Sequence, residues 1–245
     1  MPDRKTLVLT GASRGIGHAT VKRFSDAGWR IFTCSREGVP AECRRDPNWS
    51  DHFTVDLAQP GERVRFIEQV EAKLGGAPLH ALVNNAGVSP KTPYRERLGV
   101  LNGEITEWRS VFELNVFAAL ELVRGFAGSL GRGKGAVVNV TSIAGHSSHP
   151  FAGSAYSTSK AALSALTREM AVELAALGVR VNAVAPGEIE TEMIGAEYEP
   201  LITRIPMQRM GTSEEVAAVI FRLCEPDFGY VTGSEIFVTG GQHLY

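Results

Sequence analysis

The sequence predicts an α/β domain, a doubly wound parallel sheet of seven strands with helices on both faces. Three observations carry that expectation. Short apolar, β-rich runs alternate along the chain with longer segments of helical period. A glycine-rich turn, "TGASRGIG" (10–17), joins the first such run to the first helix. The 245 residues, 44% of them hydrophobic, suffice for one large core, and no linker is long enough to divide them. Strands separated by helices imply βαβ units, right-handed crossovers and therefore parallel pairing.

Taken in order, "TLVLT" (6–10) reads as a buried strand, followed by a helix through about Ala27. "RIFTC" (30–34), "HFTVDL" (52–57), "LHALVNN" (79–85), "GAVVNVTS" (135–142), "VRVNAVA" (179–185) and "SEIFVTG" (234–240) continue the strand series. Helical segments fall near 60–74, 106–130, 156–177 and 212–224. The last opens with "TSEE", in which Thr212 can cap the helix and Glu215 can reach back to it. Two stretches leave this rhythm: 88–105, rich in Pro, Gly and charge, and 187–210, which follows a strand end. Both depart from carboxyl ends of strands, where open parallel sheets bind ligands. The second is read as a substrate lid, the first either as a lid or as a surface excursion. A single domain spanning 1–245 is expected.

Composition excludes several classes. A formal charge of −2 provides no basic field for nucleic acid. The three cysteines, Cys34, Cys43 and Cys224, form no CxxC pair or ligand cluster, so they read as small packed side chains and no metal site is expected. The apolar run in "MPDRKTLVLTGASRG" is too short for a signal peptide, and no stretch is long enough to span a membrane. A soluble cytoplasmic protein is the expectation.

Gly11, Gly15 and Gly17 lie between a strand and a helix, where glycine permits a tight turn and lets a phosphate approach the helix N-terminus. Their GxxxGxG spacing differs from GxGxxG and lacks the Gly-Lys-Ser/Thr ending of a nucleoside-triphosphate loop. Dinucleotide binding is the preferred reading over a purely structural turn. The second strand's last slot holds Ser35, with Arg36 after it and Arg14 inside the glycine loop. Arginines grip a 2′-phosphate, so NADP(H) is favoured. NAD(H) stays as the alternative, with Glu37 on the ribose.

"AGSAYSTSK" (152–160) places Tyr156 and Lys160 four residues apart, about one helical turn. An ammonium beside a phenol favours the phenolate and lowers a pKa normally about 10. On the spacing alone, two surface neighbours are the preferred reading.

In this order the motifs resemble the short-chain dehydrogenase/reductase family, nearly end to end. "TGASRGIG" resembles its cofactor loop, with Ser13, Arg14 and Ile16 among the glycines. "VDL" (55–57) resembles the segment whose Asp, here Asp56 beside Leu57, contacts adenine. "NNAG" (84–87) supplies Asn85, Ala86 and Gly87; "ELNVFAA" supplies Asn115; "VNVTSIAG" supplies Ser142. "VNAVAPGEIET" resembles the segment flanking the nicotinamide, with Pro186, Gly187, Ile189 and Thr191.

The resemblance implies a single-domain Rossmann fold. It makes Tyr156 the general acid/base, Lys160 its charge partner and a ribose ligand, Ser142 the substrate-orienting hydroxyl, and Asn115 the anchor of a water. The tail "RIPMQRMGTSEEVAAVIFRLC" is most similar to the 3-oxoacyl-[acyl-carrier-protein] reductase-like branch.

The implied activity is hydride transfer between NADP(H) and a ketone or secondary alcohol. The alternatives are the fatty-acid reductase itself and, behind it, a non-catalytic cofactor-sensing scaffold. A homotetramer, or a homodimer, is implied through the helices at 106–130 and 156–177. Departures from the pattern are one extra residue between Ser142 and Tyr156, a longer 88–114 segment, and Thr239 where many relatives carry Asp. His146 and His149 are expected to be solvated loop residues.

Overall fold

The computed structural model describes residues 4–38, 40, 43, 46–92, 96–190 and 199–244. Seven parallel strands form one sheet in the order β3-β2-β1-β4-β5-β6-β7. They are β1 (Thr6–Thr10), β2 (Arg30–Ser35), β3 (Trp49–Thr54), β4 (Ala81–Asn84), β5 (Ala136–Val140), β6 (Arg180–Pro186) and β7 (Glu235–Val238). The expected doubly wound sheet is the one observed.

The period of two along each strand sends alternate residues to opposite faces. Leu7, Leu9, Val83 and Val138 face α1 (Gly15–Asp26) and α7 (Ser213–Cys224), meeting Val21, Phe24, Val216 and Ile220. Val8, Leu82 and Val137 face α2 (Pro60–Leu74), α4 (Ala118–Gly133) and α5 (Ser154–Ala175), meeting Phe66, Phe126 and Met170. Both faces are covered, as an all-parallel sheet requires. The reciprocal cap of α7 forms as expected, with Thr212 Oγ1 accepting from the Glu215 N–H and the Glu215 carboxylate accepting from the Thr212 N–H. All three cysteines are buried. Among the described residues no helix is long and apolar enough to cross a membrane.

Two elements differ from expectation. The third strand runs over Trp49–Thr54, upstream of the apolar stretch that suggested it. It is the outer strand with a largely open face, so polar residues suffice. Val55 and Leu57 are instead buried in the loop that follows, at 7% and 4% exposure. The long helix expected over 106–130 is three pieces: α3 (Ile105–Phe112), a π-helical turn at Glu113–Phe117, and α4. The 187–210 segment contains a short α6 (Glu199–Ile202), and Leu201 within it and Ile205 after it are buried.

The π turn is braced by a buried cation. Arg63 of α2 occupies a core-facing phase with Phe66, Val70 and Leu74, and its side chain is 1% exposed. Its guanidinium donates to Glu121 at 2.7 and 2.9 Å, to Glu113 at 3.1 Å and to the Leu57 carbonyl at 2.8 Å. These bonds tie the loop after β3 to both ends of the π turn. Removing the guanidinium strands two carboxylates and a carbonyl. Glu113 and Glu121 are 38% and 37% exposed, so water takes up part of the loss, and Arg63→Leu is expected to lower the unfolding free energy in urea by about 1–2 kcal/mol.

Candidate functional site

The glycine loop follows β1. Gly11 and Gly15 take φ values of +73° and +55°, in the left-handed region that favours glycine. A side chain on Gly17 would begin 2.0 Å from the Gly11 carbonyl, so α1 can start this close to the loop only with glycine there. Arg14 is the residue before the helix, in extended backbone, and no side chain caps the first turn. Free N–H groups at a helix start backed by bare glycine backbone form a cradle suited to a pyrophosphate. Ser13 and Ile16 lie in the same turn, and Ile16 also packs on the core.

Asn85 fastens the cradle to β4, its amide donating to the carbonyls of Thr10 (3.0 Å) and Gly11 (2.9 Å). The Asn85 and Ala86 N–H groups both donate to Thr10 Oγ1.

β2 ends on Ser35 as expected, with Arg14 and Arg36 both exposed. The Ser35 hydroxyl is already engaged. It donates to the Glu37 carbonyl at 2.5 Å and lies 3.2 Å from His52 Nε2. Burial holds the His52 pKa below its usual value, which suits a ring that accepts from Thr33 and donates to the Glu37 carbonyl. Asp56 is partly open, and its carboxylate accepts from the Ala58 N–H at 3.0 Å. Leu57 points into the core, so it offers a ligand its backbone alone.

Ser142, Tyr156, Lys160, Asn115 and Gly87 come together. Ser142 follows β5 and starts a 3-10 turn, accepting from the Ala144 N–H at 3.2 Å. Tyr156 and Lys160 occupy the first turns of α5, with Lys160 Nζ 5.7 Å from the phenol ring centroid. Lys160 is 3% exposed, and its Nζ donates at 2.7 Å to the carbonyl of Val140, the last residue of β5. Burial brings its pKa down to about 8. A side chain on Gly87 would begin 3.2 Å from Lys160 Nζ and 3.4 Å from Asn115 Oδ1, so its absence leaves room beside both.

Asn115, set in the π turn, clamps Val88. Its Oδ1 accepts from the Val88 N–H at 2.9 Å and its Nδ2 donates to the Val88 carbonyl at 3.1 Å and to Ser159 Oγ at 2.9 Å.

The expected lowering of the Tyr156 pKa is not found. Burial raises it, a hydrogen bond with Ser142 pulls the other way, and the negative charge of Glu188 raises it further. Lys160 is directed to a strand-end carbonyl, so in this state it does not offset the loss of water around the phenol.

Pro186 ends β6, Gly187 follows it, and Ile189 is buried in the core at 6% exposure. The Gly211 N–H donates to Glu188 and the Glu190 N–H to Gly211, closing the base of the 187–210 segment. Thr191 lies outside the described residues. Thr239 is buried and bonds His243 Nδ1 at 2.7 Å.

The loop histidines are not simply solvated. His146 Nε2 is 3.0 Å from Glu235 Oε2, and His149 Nε2 is 2.5 Å from Glu188 Oε1, the latter pair only 12% and 7% exposed. Each finds a carboxylate that the order of the sequence keeps far from it. Glu188 was legible only as a charge directly after Pro-Gly at a strand end.

Two of the three departures, the extra residue before Tyr156 and the longer segment after Gly87, pack against each other. Leu98 accepts from the Ser154 N–H at 2.8 Å, Arg97 donates to the Ala152 carbonyl at 2.6 Å, and Lys91 reaches the Phe151 carbonyl. The 88–105 segment is therefore packed onto the stretch with the extra residue. Together they shape a hollow against Tyr156, walled by Pro90, Leu98, Trp108, Val111 and Gly153.

The family described as enoyl-(acyl carrier protein) reductase matches residues 11–243. The chain is 53% identical over 244 residues to Protein FixR of Bradyrhizobium diazoefficiens, covering 99% of this chain and 88% of that one. It is 32% identical over 247 residues to a 3-oxoacyl-[acyl-carrier-protein] reductase of Synechocystis, covering 97% and 96%. An oxidoreductase of the short-chain dehydrogenase/reductase family from Brucella ovis, solved with a partially ordered NAD, matches at 50% identity with a TM-score of 0.83. That match covers 96% of this chain and 100% of the other.

Proposed function

The chain belongs to the short-chain dehydrogenase/reductase family, in its 3-oxoacyl-[acyl-carrier-protein] reductase-like branch, and from that premise we propose that it is an oxidoreductase interconverting a ketone and a secondary alcohol with a nicotinamide dinucleotide. The observation that carries this reading is the convergence of Ser142, Tyr156 and Lys160 beside the gap left by Gly87. The glycine cradle fits the pyrophosphate. When bound, the nicotinamide supplies or accepts the hydride.

The chain's own residues handle the proton. Burial and the Glu188 charge keep the Tyr156 phenol protonated, the form required of a general acid in carbonyl reduction. The Ser142 hydroxyl bonds the same phenol and is set to hold the carbonyl oxygen in line with it. With a pKa of about 8, Lys160 carries a positive charge at neutral pH and favours the phenolate left when the proton departs. Asn115 fixes Val88 and, through Ser159, α5; its proposed role is to keep the space beside Lys160 open to a water.

NADP(H) is the proposed cofactor, on the strength of the two exposed guanidiniums, Arg14 and Arg36, at the start of α1 and the end of β2. Among similar structures, the Brucella ovis protein carries NAD, whereas ElxO, at 28% identity, carries NADP. An acyl-carrier-protein substrate is the second reading, favoured by the Synechocystis relative. Arg180 gives it little support, since its guanidinium is spent on the carbonyls of Leu223 and Val231. A homotetramer, or a homodimer, is proposed through α4 and α5. Val116 and Leu163 belong to the core, but Phe117 is 43% exposed and shares an open hollow with Trp108 and Phe112.

Tyr156→Phe is expected to bind cofactor as the parent does and to lose about 10²–10⁴-fold in turnover of a ketone panel; turnover at the parent rate would remove the mechanism. In parallel fluorescence titrations NADPH should bind tighter than NADH, and Arg36→Ala should weaken NADPH by about tenfold. An unchanged NADPH affinity would hand the ribose to Glu37. Light scattering should return a mass of four chains, or two; a monomer would refute the assembly.

A further inference from the structure

Glu188 lies two residues beyond the end of β6, and its side chain is 7% exposed. Its Oε1 accepts from His149 Nε2 at 2.5 Å and from Gln242 Nε2 at 3.5 Å. Among the described residues nothing donates to Oε2, and no lysine or arginine pairs with the group.

The charge on the pair follows from the other imidazole nitrogen. His149 Nδ1 accepts the backbone N–H groups of Phe151 at 3.2 Å and Ala152 at 3.1 Å. A nitrogen that accepts two hydrogen bonds carries no proton, so the ring's single proton sits on Nε2 and is donated to Glu188. The imidazole is neutral, and the pair bears one net negative charge where little water reaches it. A buried charge without a counter-charge is costly to keep. The neighbouring Gln242 has an unmet acceptor, its Oε1 being buried without a donor 2.8 Å from where a Gly187 side chain would begin. Glu188 lies near enough to Tyr156 for its negative charge to raise the pKa of the phenol, and His149 stands four residues before Gly153 of the hollow's wall.

A clip for the 149–152 turn would need one carboxylate oxygen and no charge. We propose that Glu188, presented by neutral His149, recognises the substrate, and that the substrate carries a cationic ammonium-type centre close to its reacting carbonyl or hydroxyl group. The inference rests on the oxidoreductase reading above. A hydroxyl on the substrate would satisfy Oε2 but leave the charge in place, whereas a cation removes it. A carboxylate there is repelled.

Three ketones test this: acetonyltrimethylammonium, its neutral isostere methyl neopentyl ketone, and levulinate. The first two share a shape, but the ammonium also activates the carbonyl inductively, so recognition of the charge is read as the fall in the ratio of their kcat/KM values from the parent to Glu188→Gln. The parent is expected to favour the cation and to use levulinate least, and Glu188→Gln, with a melting curve to show that it is folded, should lower the ratio by about 10–100-fold. Equal kcat/KM for the cation and its isostere in the parent, or a ratio unchanged in Glu188→Gln, overturns the proposal. So does a loss of NADPH or NADH affinity in Glu188→Gln as large as the lost preference, which would set the carboxylate against the nicotinamide.

If no ketone turns over, equilibrium dialysis of radiolabelled acetonyltrimethylammonium against the protein–cofactor complex separates the two readings. Binding lost in Glu188→Gln sustains the cation site while the oxidoreductase reading falls. Absence of binding overturns the cation site as well.

Discussion

Seven parallel strands present all of their carboxyl ends along one rim of the sheet, and both faces of that sheet are sealed by helices. Chain that leaves a strand at this rim must turn before it can cover a face, and the turning backbone exposes polar groups that the sheet no longer pairs. The glycine loop follows β1, Ser35 closes β2, Asn85 to Gly87 follow β4, Ser142 follows β5, and Pro186 closes β6, with Gly187 to Ile189 after it. The residues gathered at the site come from positions far apart in sequence because the rim collects them. Lys160 shows the same constraint at the level of one atom. The carbonyl of Val140 is left unpaired where β5 stops, and the ammonium arriving from α5 takes it up.

The electrostatics of the rim are set by burial more than by pairing. A lysine and a glutamate of opposite sign both lie near Tyr156, yet neither bonds the other. Each is held by a neutral group, a peptide carbonyl for Lys160 and an imidazole for Glu188. Both charges therefore remain available to a ligand and are not spent on one another. The phenol near them is left as a weak acid until a ligand changes that balance.

The sequence was most readable where one residue type has one structural use. Gly11, Gly15 and Gly17 announced a tight turn at a helix start, and Thr212 with Glu215 announced a capped helix; both are present. The buried strands were legible because their apolar runs have no other place to go. The outer strand was misplaced by three residues because an edge needs little apolar content, and Val55 and Leu57, which caught the eye, fill the core from a loop. The His149–Glu188 pair joins residues 39 apart, and no local pattern encodes such a meeting. Arg63 did leave a trace, a charge at the helical phase of Phe66 and Val70, which marks a buried and therefore partnered cation.

Glu113 and Glu121 are eight positions apart and both hold Arg63. On an uninterrupted α-helix, eight residues of roughly 100° each leave two side chains about 80° apart around the axis, too far to share one guanidinium comfortably. The five-residue π turn between them winds more slowly and takes up most of that angle. The segment behaves as a phase corrector. It aligns two carboxylates on the side facing α2, and in the same rotation it sets Asn115 toward Val88 and Ser159. At the same length but ordinary pitch, the segment would turn one carboxylate about 80° away from Arg63, and bracing and clamping would point in different directions.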